Sequence, residues 1–207
     1  MSPLPTRMID RWQKRRDQLP GEEVLYWHIL VGDQPEAVAL ARLAQERLAP
    51  FAADLHFTPL EWLHITAMVV GPPSDTVPEK VLRETRKRLA AIAPARVEIG
   101  SVAYHPEAIV LLVEPFEALR PFRHAVRAAS RAIAGRDDLD SQVPWIPHIT
   151  LAYSTASRPA GPLITALGRR LPRRSLTLDT LELVNQIGPE RSWAWQPLAA
   201  VTCGSAD

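Results

Sequence analysis

The apolar stretch LHITAMVV occupies residues 63–70, and a second stretch, IPHITLAY, occupies residues 146–153. Both contain a His-Ile-Thr triplet among apolar residues, and both have the length of a buried β-strand. Because successive side chains along a strand point to opposite faces, each histidine shares a face with the threonine two positions later. Each stretch therefore predicts a strand that presents an imidazole beside a hydroxyl group.

The segments that precede the two triplets occur in the same order. A strand and then a helix are predicted before each triplet: residues 24–31 and 35–48 before the first, and residues 108–113 and 116–133 before the second. The interval from Leu30 to His64 is nearly equal to the interval from Leu112 to His148. This repetition predicts an α+β fold with two lobes, built as a pseudo-twofold repeat of strand-helix-strand units.

The remaining elements complete one domain. They are a helix at residues 79–92, a strand at residues 96–104, and a C-terminal hairpin of strands 175–187 and 193–201. Residues 1–20 carry several arginines and are predicted to form a basic helical extension, with its helix at residues 6–19. We expect the two-lobed domain to span residues 21–203, with lobes at about 21–105 and 106–203 that can exchange their terminal strands.

Composition sets the class of protein and its partners. The 207 residues are 46% hydrophobic and 23% charged, which is typical of a globular domain. Lys and Arg (24) nearly balance Asp and Glu (23), so an anion site must be local. The single cysteine, Cys203, fits a reducing compartment. With no secretory signal and no apolar stretch long enough to span a membrane, we expect a cytoplasmic location. We also expect the chain to be a monomer.

The paired histidines favour a functional groove over a structural role. One histidine in an apolar strand is more often a buried core residue with a backbone partner. Two equivalent imidazole and hydroxyl pairs, His64 with Thr66 and His148 with Thr150, are costly to bury, and a shared wet cleft avoids that cost. A third match, His56-Phe57-Thr58, lies outside an apolar run before Pro59 and is interpreted as a loop coincidence.

A zinc site is the main competing chemistry for these histidines. Six histidines are available, but the chain has no His-x-His, no His-Glu-x-x-His and no cysteine pair. We therefore expect no metal and no cofactor. His28 and His124 are interpreted as structural.

The two motifs resemble those of the two-histidine (2H) phosphoesterase superfamily, in particular its 2′-5′ RNA ligase-like and cyclic phosphodiesterase branches. The matching residues are His64-Ile65-Thr66 followed by apolar residues and Gly71, and His148-Ile149-Thr150-Leu151-Ala152-Tyr153. The resemblance covers about residues 24–201. It implies a bilobal body whose two antiparallel sheets face each other across a central groove, with one motif from each lobe.

One position departs from part of this family. Three residues after the second threonine, the bacterial ligase-like branch often has Arg and other branches have Tyr; this chain has Tyr153. Strict alternation places Tyr153 on the face opposite His148 unless the strand bends. We retain Tyr153 as a candidate substrate-binding residue, with a core aromatic as the alternative.

The resemblance implies a division of roles. Opening a 2′,3′-cyclic phosphate requires one proton to be removed and one to be supplied, and imidazoles with a pKa of about 6.5 do both near neutral pH. His64 and His148 are the candidate acid/base pair, whose individual roles stay open. Thr66 and Thr150 are the candidate hydrogen-bond donors to the phosphate oxygens. Trp62 and Trp145, just before each motif, either stack on a base or pack in the core.

These features predict a metal-independent phosphodiesterase. We expect it to hydrolyse 2′,3′-cyclic phosphate or 2′-5′ phosphodiester bonds in RNA or nucleotide-derived substrates, with RNA ligase activity also within the family's range. The expected partners are RNA ends or a small nucleotide, and no membrane. The alternative is a non-catalytic module that binds RNA ends or nucleotides in the same groove.

Overall fold

The computed structural model describes residues 4–13, 15–73, 77–134 and 144–204, in which eleven strands and four α-helices occur. The strands are β1 (Arg7–Met8), β2 (Glu23–Leu30), β3 (Leu55–Phe57), β4 (His64–Gly71), β5 (Ala95–His105), β6 (Ala108–Glu114), β7 (His148–Ser154), β8 (Arg158–Pro159), β9 (Arg170–Leu178), β10 (Thr180–Ile187) and β11 (Trp195–Thr202). The helices are α1 (Pro35–Leu48), α2 (Val77–Leu89), α3 (Arg120–Ala134) and α4 (Gly161–Leu167). None of these helices is both long and apolar enough to cross a membrane.

Two antiparallel sheets carry the fold, which confirms the predicted α+β class. The four-stranded sheet has the order β11-β10-β2-β4, and the five-stranded sheet has the order β3-β7-β6-β5-β9. A short ladder of β1 with β8 lies apart from both. The first motif begins β4 and the second begins β7, so each sheet contributes one motif.

Two pairs of helices pack against the sheets. α2 packs on α3, with α2 against β11 and α3 against β4; α1 packs on α4 and against β9 and β7. α1 begins at Pro35, where the missing N–H costs nothing, and it buries Ala37, Leu40, Ala41, Ala44 and Leu48 as one apolar stripe. β2 buries Leu25, Trp27 and Ile29 on alternate positions, which leaves the intervening residues to face the groove.

The predicted C-terminal strand at residues 175–187 is wrong in one respect. The chain leaves the five-stranded sheet after Leu178 and enters the four-stranded sheet at Thr180, so β9 and β10 are separate strands in different sheets. The alternation of hydrophobic residues changes phase between Leu178 and Leu181, and this is the only local sign of the switch in the sequence. The predicted hairpin is formed by β10 and β11 alone.

The N-terminal helix predicted at residues 6–19 is also wrong for the described residues. β1 pairs there with β8, and Met8 is fully buried. The Asp10 carboxylate accepts a hydrogen bond from the backbone N–H of Trp12, at 2.9 Å, which is a local turn that competes with a helix. The segment is therefore packed into the domain and is not an appendage.

The division between the sheets does not follow the expected lobe boundary after residue 105. β5 and β3 come from the first part of the chain, yet both lie in the five-stranded sheet. β10 and β11 come from the end of the chain and extend the four-stranded sheet. Both sheets are therefore built from residues before and after that boundary.

Candidate functional site

The two motif histidines begin their strands and lie in one site. His64 pairs with Leu30 on β2, and His148 pairs with Leu112 on β6. β4 and β7 contact each other between the sheets. Burial lowers the pKa of His64, and the charge of His148 adds a smaller lowering effect.

Both histidine rings are held in the same way. The Nδ1–H of His64 donates to the carbonyl oxygen of Trp62 at 2.7 Å, and the Nδ1–H of His148 donates to the carbonyl oxygen of Ile146 at 2.8 Å. Because a carbonyl only accepts, Nδ1 carries the proton in both rings. Each neutral ring therefore keeps Nε2 as its available lone pair, and each charged ring keeps an Nε2–H to donate.

A β-bulge follows the threonine in each motif. The pairing with the neighbouring strand shifts so that Ala67 of β4 and Leu151 of β7 have no opposing residue. An extra residue of this kind reverses the alternation of the side chains that follow it. Tyr153 therefore lies on the same face as His148 and Thr150, and the opposite placement expected from strict alternation is wrong.

The surroundings of the rings lower both imidazole pKa values. His64 is only 7% exposed, and its burial lowers its pKa to about 4, against the opposing effect of its bond to Trp62. His148 lies at the exposed rim of the groove, yet the protein around its ring lowers its pKa as well, with smaller contributions from the charges of Arg11 and His105. Both rings therefore favour the neutral form more strongly than free imidazole does.

The hydroxyl groups of the motifs differ in exposure. Thr66 is half-buried, whereas Thr150 is 5% exposed and its side chain is hydrogen-bonded to that of Tyr153. Burial raises the pKa of Tyr153, so its hydroxyl stays protonated over the whole range in which the histidines titrate. The second motif therefore adds a second hydroxyl group beside its threonine.

Sequence and structure comparisons give this pair of strands its context. The family model of the 2′-5′ RNA ligase superfamily matches residues 44–190, which include both motifs. The chain belongs to the 2′-5′ RNA ligase superfamily. This confirms the resemblance drawn from the two motifs.

Solved structures share the fold at low sequence identity. TT0787 of Thermus thermophilus has a TM-score of 0.70 at 20% identity, covering 89% of this chain and 100% of its own. E. coli LigT complexed with 3′-AMP has a TM-score of 0.61 at 14% identity, covering 91% and 99%. The MHV ns2 PDE domain has a TM-score of 0.59 at 15% identity, covering 80% and 99%. No curated protein sequence matches the chain significantly.

The two predicted tryptophans of this 2′-5′ RNA ligase superfamily chain are half-buried against the motifs. Trp62 supplies the carbonyl that holds His64, and its ring lies 5.5 Å from the ring of Trp195. Trp145 donates its indole N–H to the carbonyl oxygen of Thr66 at 2.9 Å, and the guanidinium of Arg123 lies 5.0 Å over its ring. Trp145 therefore connects the segment before the second motif to the first motif.

His28, interpreted from the sequence as structural, lies inside the site. It pairs with Thr66 across β2 and β4, so it points to the groove face, and its ring centroid is 4.4 Å from that of His64. Tyr26 and Trp195 stack on it at 5.1 Å and 4.8 Å. Burial lowers its pKa well below the usual value. The alternation along β2, which buries the residues on either side of His28, is the signal in the sequence that places this ring on the groove face.

Arg11 has no counterpart among the sequence-based candidates, because it reaches the site from the N-terminal segment. Its guanidinium lies 4.2 Å from the centroid of the Tyr153 ring and donates to the Glu190 carboxylate at 2.6 Å and 2.8 Å. A longer contact of 3.5 Å joins it to Glu107. No local pattern links these positions, since Arg11 and Glu190 are separated by almost the whole chain.

Trp193 bridges the two sheets. It lies between β10 and β11 in the left-handed backbone region, at φ 50°, and its indole N–H donates to Nε2 of His56 on β3 at 3.0 Å. Its ring centroid is 6.3 Å from that of His64 and 6.4 Å from that of Tyr153. The loop expected at His56 is thus wrong, because β3 pairs His56 with Tyr153 beside the second motif.

Over the described ranges, no three or more His, Cys, Asp or Glu side chains are grouped so as to hold a metal ion.

Proposed function

We infer that this chain is a metal-independent phosphodiesterase that opens 2′,3′-cyclic phosphates or cleaves 2′-5′ linkages in RNA or nucleotide-derived substrates. One observation carries this: two imidazoles on neighbouring strands of different sheets, each held through Nδ1 and each with Nε2 available. In-line displacement at phosphorus needs a base on one side and an acid on the other. That E. coli LigT is solved with 3′-AMP supports a nucleotide as the bound species.

The pKa shifts favour His64 as the general base and His148 as the general acid. His64, with its pKa lowered to about 4, is neutral over the working range and accepts a proton from the attacking water at Nε2. The water oxygen forms a bond to phosphorus as the bond from phosphorus to the 2′ or 3′ oxygen breaks. His148 gives its Nε2 proton to that leaving oxygen, since the bound phosphate anion favours the charged imidazole.

The hydroxyl groups bind the phosphate in this scheme. Thr66 and Thr150 donate to its non-bridging oxygens, whose negative charge grows in the transition state. Tyr153 is hydrogen-bonded to Thr150 and keeps its own proton, so it supports that donation. Trp62 and Trp145 act through their contacts with His64 and Thr66, and we assign them a positioning role rather than base stacking.

The test is turnover of the four 2′,3′-cyclic nucleotides and a 2′-5′ dinucleotide, with and without EDTA. We expect EDTA-resistant hydrolysis, and a fall of about 10²–10⁴-fold in His64→Ala and His148→Ala. Arg174→Ala, which changes an exposed side chain on the edge strand β9, is the control and keeps activity within about twofold. Near-wild-type rates in either motif variant, or activity lost in EDTA and restored by zinc, would overturn the assignment.

A binding module without turnover is the second candidate. The rings of Trp193 and Trp195 pack on His64 and leave it little exposed. Such an aromatic surrounding favours binding of a nucleobase and limits the access of water to His64. If no cyclic phosphate is hydrolysed and nucleotide binding survives loss of both histidines, this second function replaces the first.

A further inference from the structure

A basic cavity of about 530 Å³ lies beside the two motifs. It is formed by the first half of α3 and by the segment that leads into β7. Four basic residues of α3 line it: Arg120, Arg123, His124 and Arg127. No acidic side chain occurs among the described residues of its lining. Its volume falls in the range of small-molecule sites, which is roughly 300–1,000 Å³.

Aromatic rings alternate with the basic groups in this cavity. The guanidinium of Arg120 lies 4.9 Å over the ring of Phe116, and that of Arg123 lies 5.0 Å over the ring of Trp145. Guanidinium groups that stack on aromatic rings are held in place as cations, and positively charged grooves bind the backbone of single-stranded nucleic acids. Because the whole chain carries a net charge of only +1, a local concentration of this kind is the feature that attracts a polyanion.

The walls of the cavity are continuous with the proposed catalytic groups. Trp145 lines the cavity and donates to the carbonyl oxygen of Thr66. Ile146 lines it too, and its own carbonyl holds Nδ1 of His148. A strand of substrate that lies against His148 therefore needs to continue past only these two residues to reach the arginines.

We propose that this cavity binds a backbone phosphodiester of an RNA strand next to the scissile linkage, so that the preferred substrate is an RNA end rather than a mononucleotide. The inference rests on the proposed phosphodiesterase function and names its substrate class. Guanidinium groups bind phosphodiester oxygens through paired hydrogen bonds, and the stacked arginines are already oriented by the rings beneath them.

The exposed arginines of β9 provide a matched comparison. Arg170, Arg173 and Arg174 lie on the outer edge of the five-stranded sheet, away from α3, and they line no part of this cavity. A non-specific attraction of RNA to positive charge would involve them as much as Arg120 and His124. Recognition of RNA by the cavity would not involve the arginines of β9.

Binding is tested with a 5′-fluorescein RNA tetranucleotide that ends in a 3′-phosphate, by fluorescence anisotropy over a range of salt concentrations. The double variant Arg120→Gln/His124→Gln changes exposed side chains only. We expect its Kd to rise at least about tenfold, and its salt slope to decrease by about 0.7 for each phosphate that is no longer neutralised. Arg170→Gln/Arg174→Gln is the control and should match wild type.

Equal Kd values for wild type and the α3 double variant, equal losses in both double variants, or no RNA binding by wild type, would overturn the proposal. Measurements of turnover distinguish a failure of this proposal from a failure of the proposed phosphodiesterase function. If wild type hydrolyses mononucleotides and oligonucleotides with equal kcat/KM, the proposed RNA-binding role of the cavity is wrong, and the proposed phosphodiesterase function is retained. If no substrate is turned over but RNA binding still depends on Arg120 and His124, the proposed phosphodiesterase function is wrong, and the RNA-binding role of the cavity is retained.

Discussion

The ring centroids of His28 and His64 are 4.4 Å apart, and neither ring nitrogen of His28 has a hydrogen-bond partner in the described part of the chain. A buried imidazole without partners is costly to charge, and a charge on either ring opposes a charge on the other. Burial lowers both pKa values, that of His28 well below the usual value and that of His64 to about 4. The folded protein therefore holds two neutral histidines in contact.

This pair predicts that stability falls as the pH is lowered. The unfolded chain takes up its histidine protons near pH 6.5, whereas the folded protein takes up that of His64 only near pH 4. Stability is therefore complete above pH 6.5 and decreases from there towards pH 4, by about 3 kcal/mol for His64 and further for His28. Urea unfolding followed by tryptophan fluorescence at pH 8, 6 and 5 measures it.

His28→Phe removes one of the two titrating groups and keeps a ring between Tyr26 and Trp195. We expect the slope of unfolding free energy against pH below pH 6.5 to decrease by about 1.4 kcal/mol per pH unit. Tyr26→Phe changes the same ring stack but keeps His28, so its slope should equal that of wild type. A slope unchanged in His28→Phe would mean that His28 is not held neutral.

The pH profile of turnover should be displaced towards acid. The value of kcat/KM depends on the free enzyme, in which His64 has a pKa of about 4 and His148 a pKa lowered from 6.5. We expect a bell-shaped profile with its acid limb near pH 4 and its maximum below pH 6.5, whichever ring is the base. A maximum above pH 7 would contradict the lowered pKa values.

We expect the Gly32→Ala substitution, which adds a single methyl group, to reduce both stability and turnover. A Cβ at this position would lie 2.4 Å from the carbonyl oxygen of Glu61 and 2.5 Å from that of Leu60, in the turn whose next residue, Trp62, holds His64. Gly32→Ala should lower the unfolding free energy by about 2–4 kcal/mol and reduce kcat more than KM changes. Thermal unfolding and kinetics check it.

Gly161→Ala is the control for this substitution. It begins α4, and an added Cβ meets nothing within 4 Å. Its stability should stay within about 0.5 kcal/mol of wild type. Equal stability of Gly32→Ala and wild type would show that the turn at residues 60–62 moves freely.

The Arg11–Glu190 pair predicts a coupled loss. Its side chains are 14% and 28% exposed, and removal of either partner leaves a charge in a partly buried site. Arg11→Ala and Glu190→Ala should each cost about 1–3 kcal/mol, and the double variant should cost clearly less than their sum. Additive losses in a double-mutant cycle of urea unfolding would show that the pair contributes no energy of its own.

Local patterns in the sequence predict local structure well here. Helix α1 has the predicted limits, because Pro35 opens it and its apolar stripe is regular. The strands with His64 and His148 begin within two residues of their predicted starts. Alternation failed at Tyr153, since a bulge after Thr150 depends on pairing with β6, which no local pattern encodes.

Long-range contacts account for the other errors. Arg11 and Trp193 reach the site through partners far along the chain, Glu190 and His56. The strand switch after Leu178 depends on which sheet offers a free edge, and both β9 and β10 have equally suitable sequences.

The paired bulges have a consequence for how the two halves diverge. Each irregularity returns the third residue after the threonine to the groove, where one half places Val69 and the other Tyr153. A duplicated backbone can therefore acquire unlike chemistry on its two sides by a single substitution, with no rearrangement of either strand. The two sides of the groove therefore differ here as well, with an apolar side chain after Thr66 and a phenol hydroxyl after Thr150.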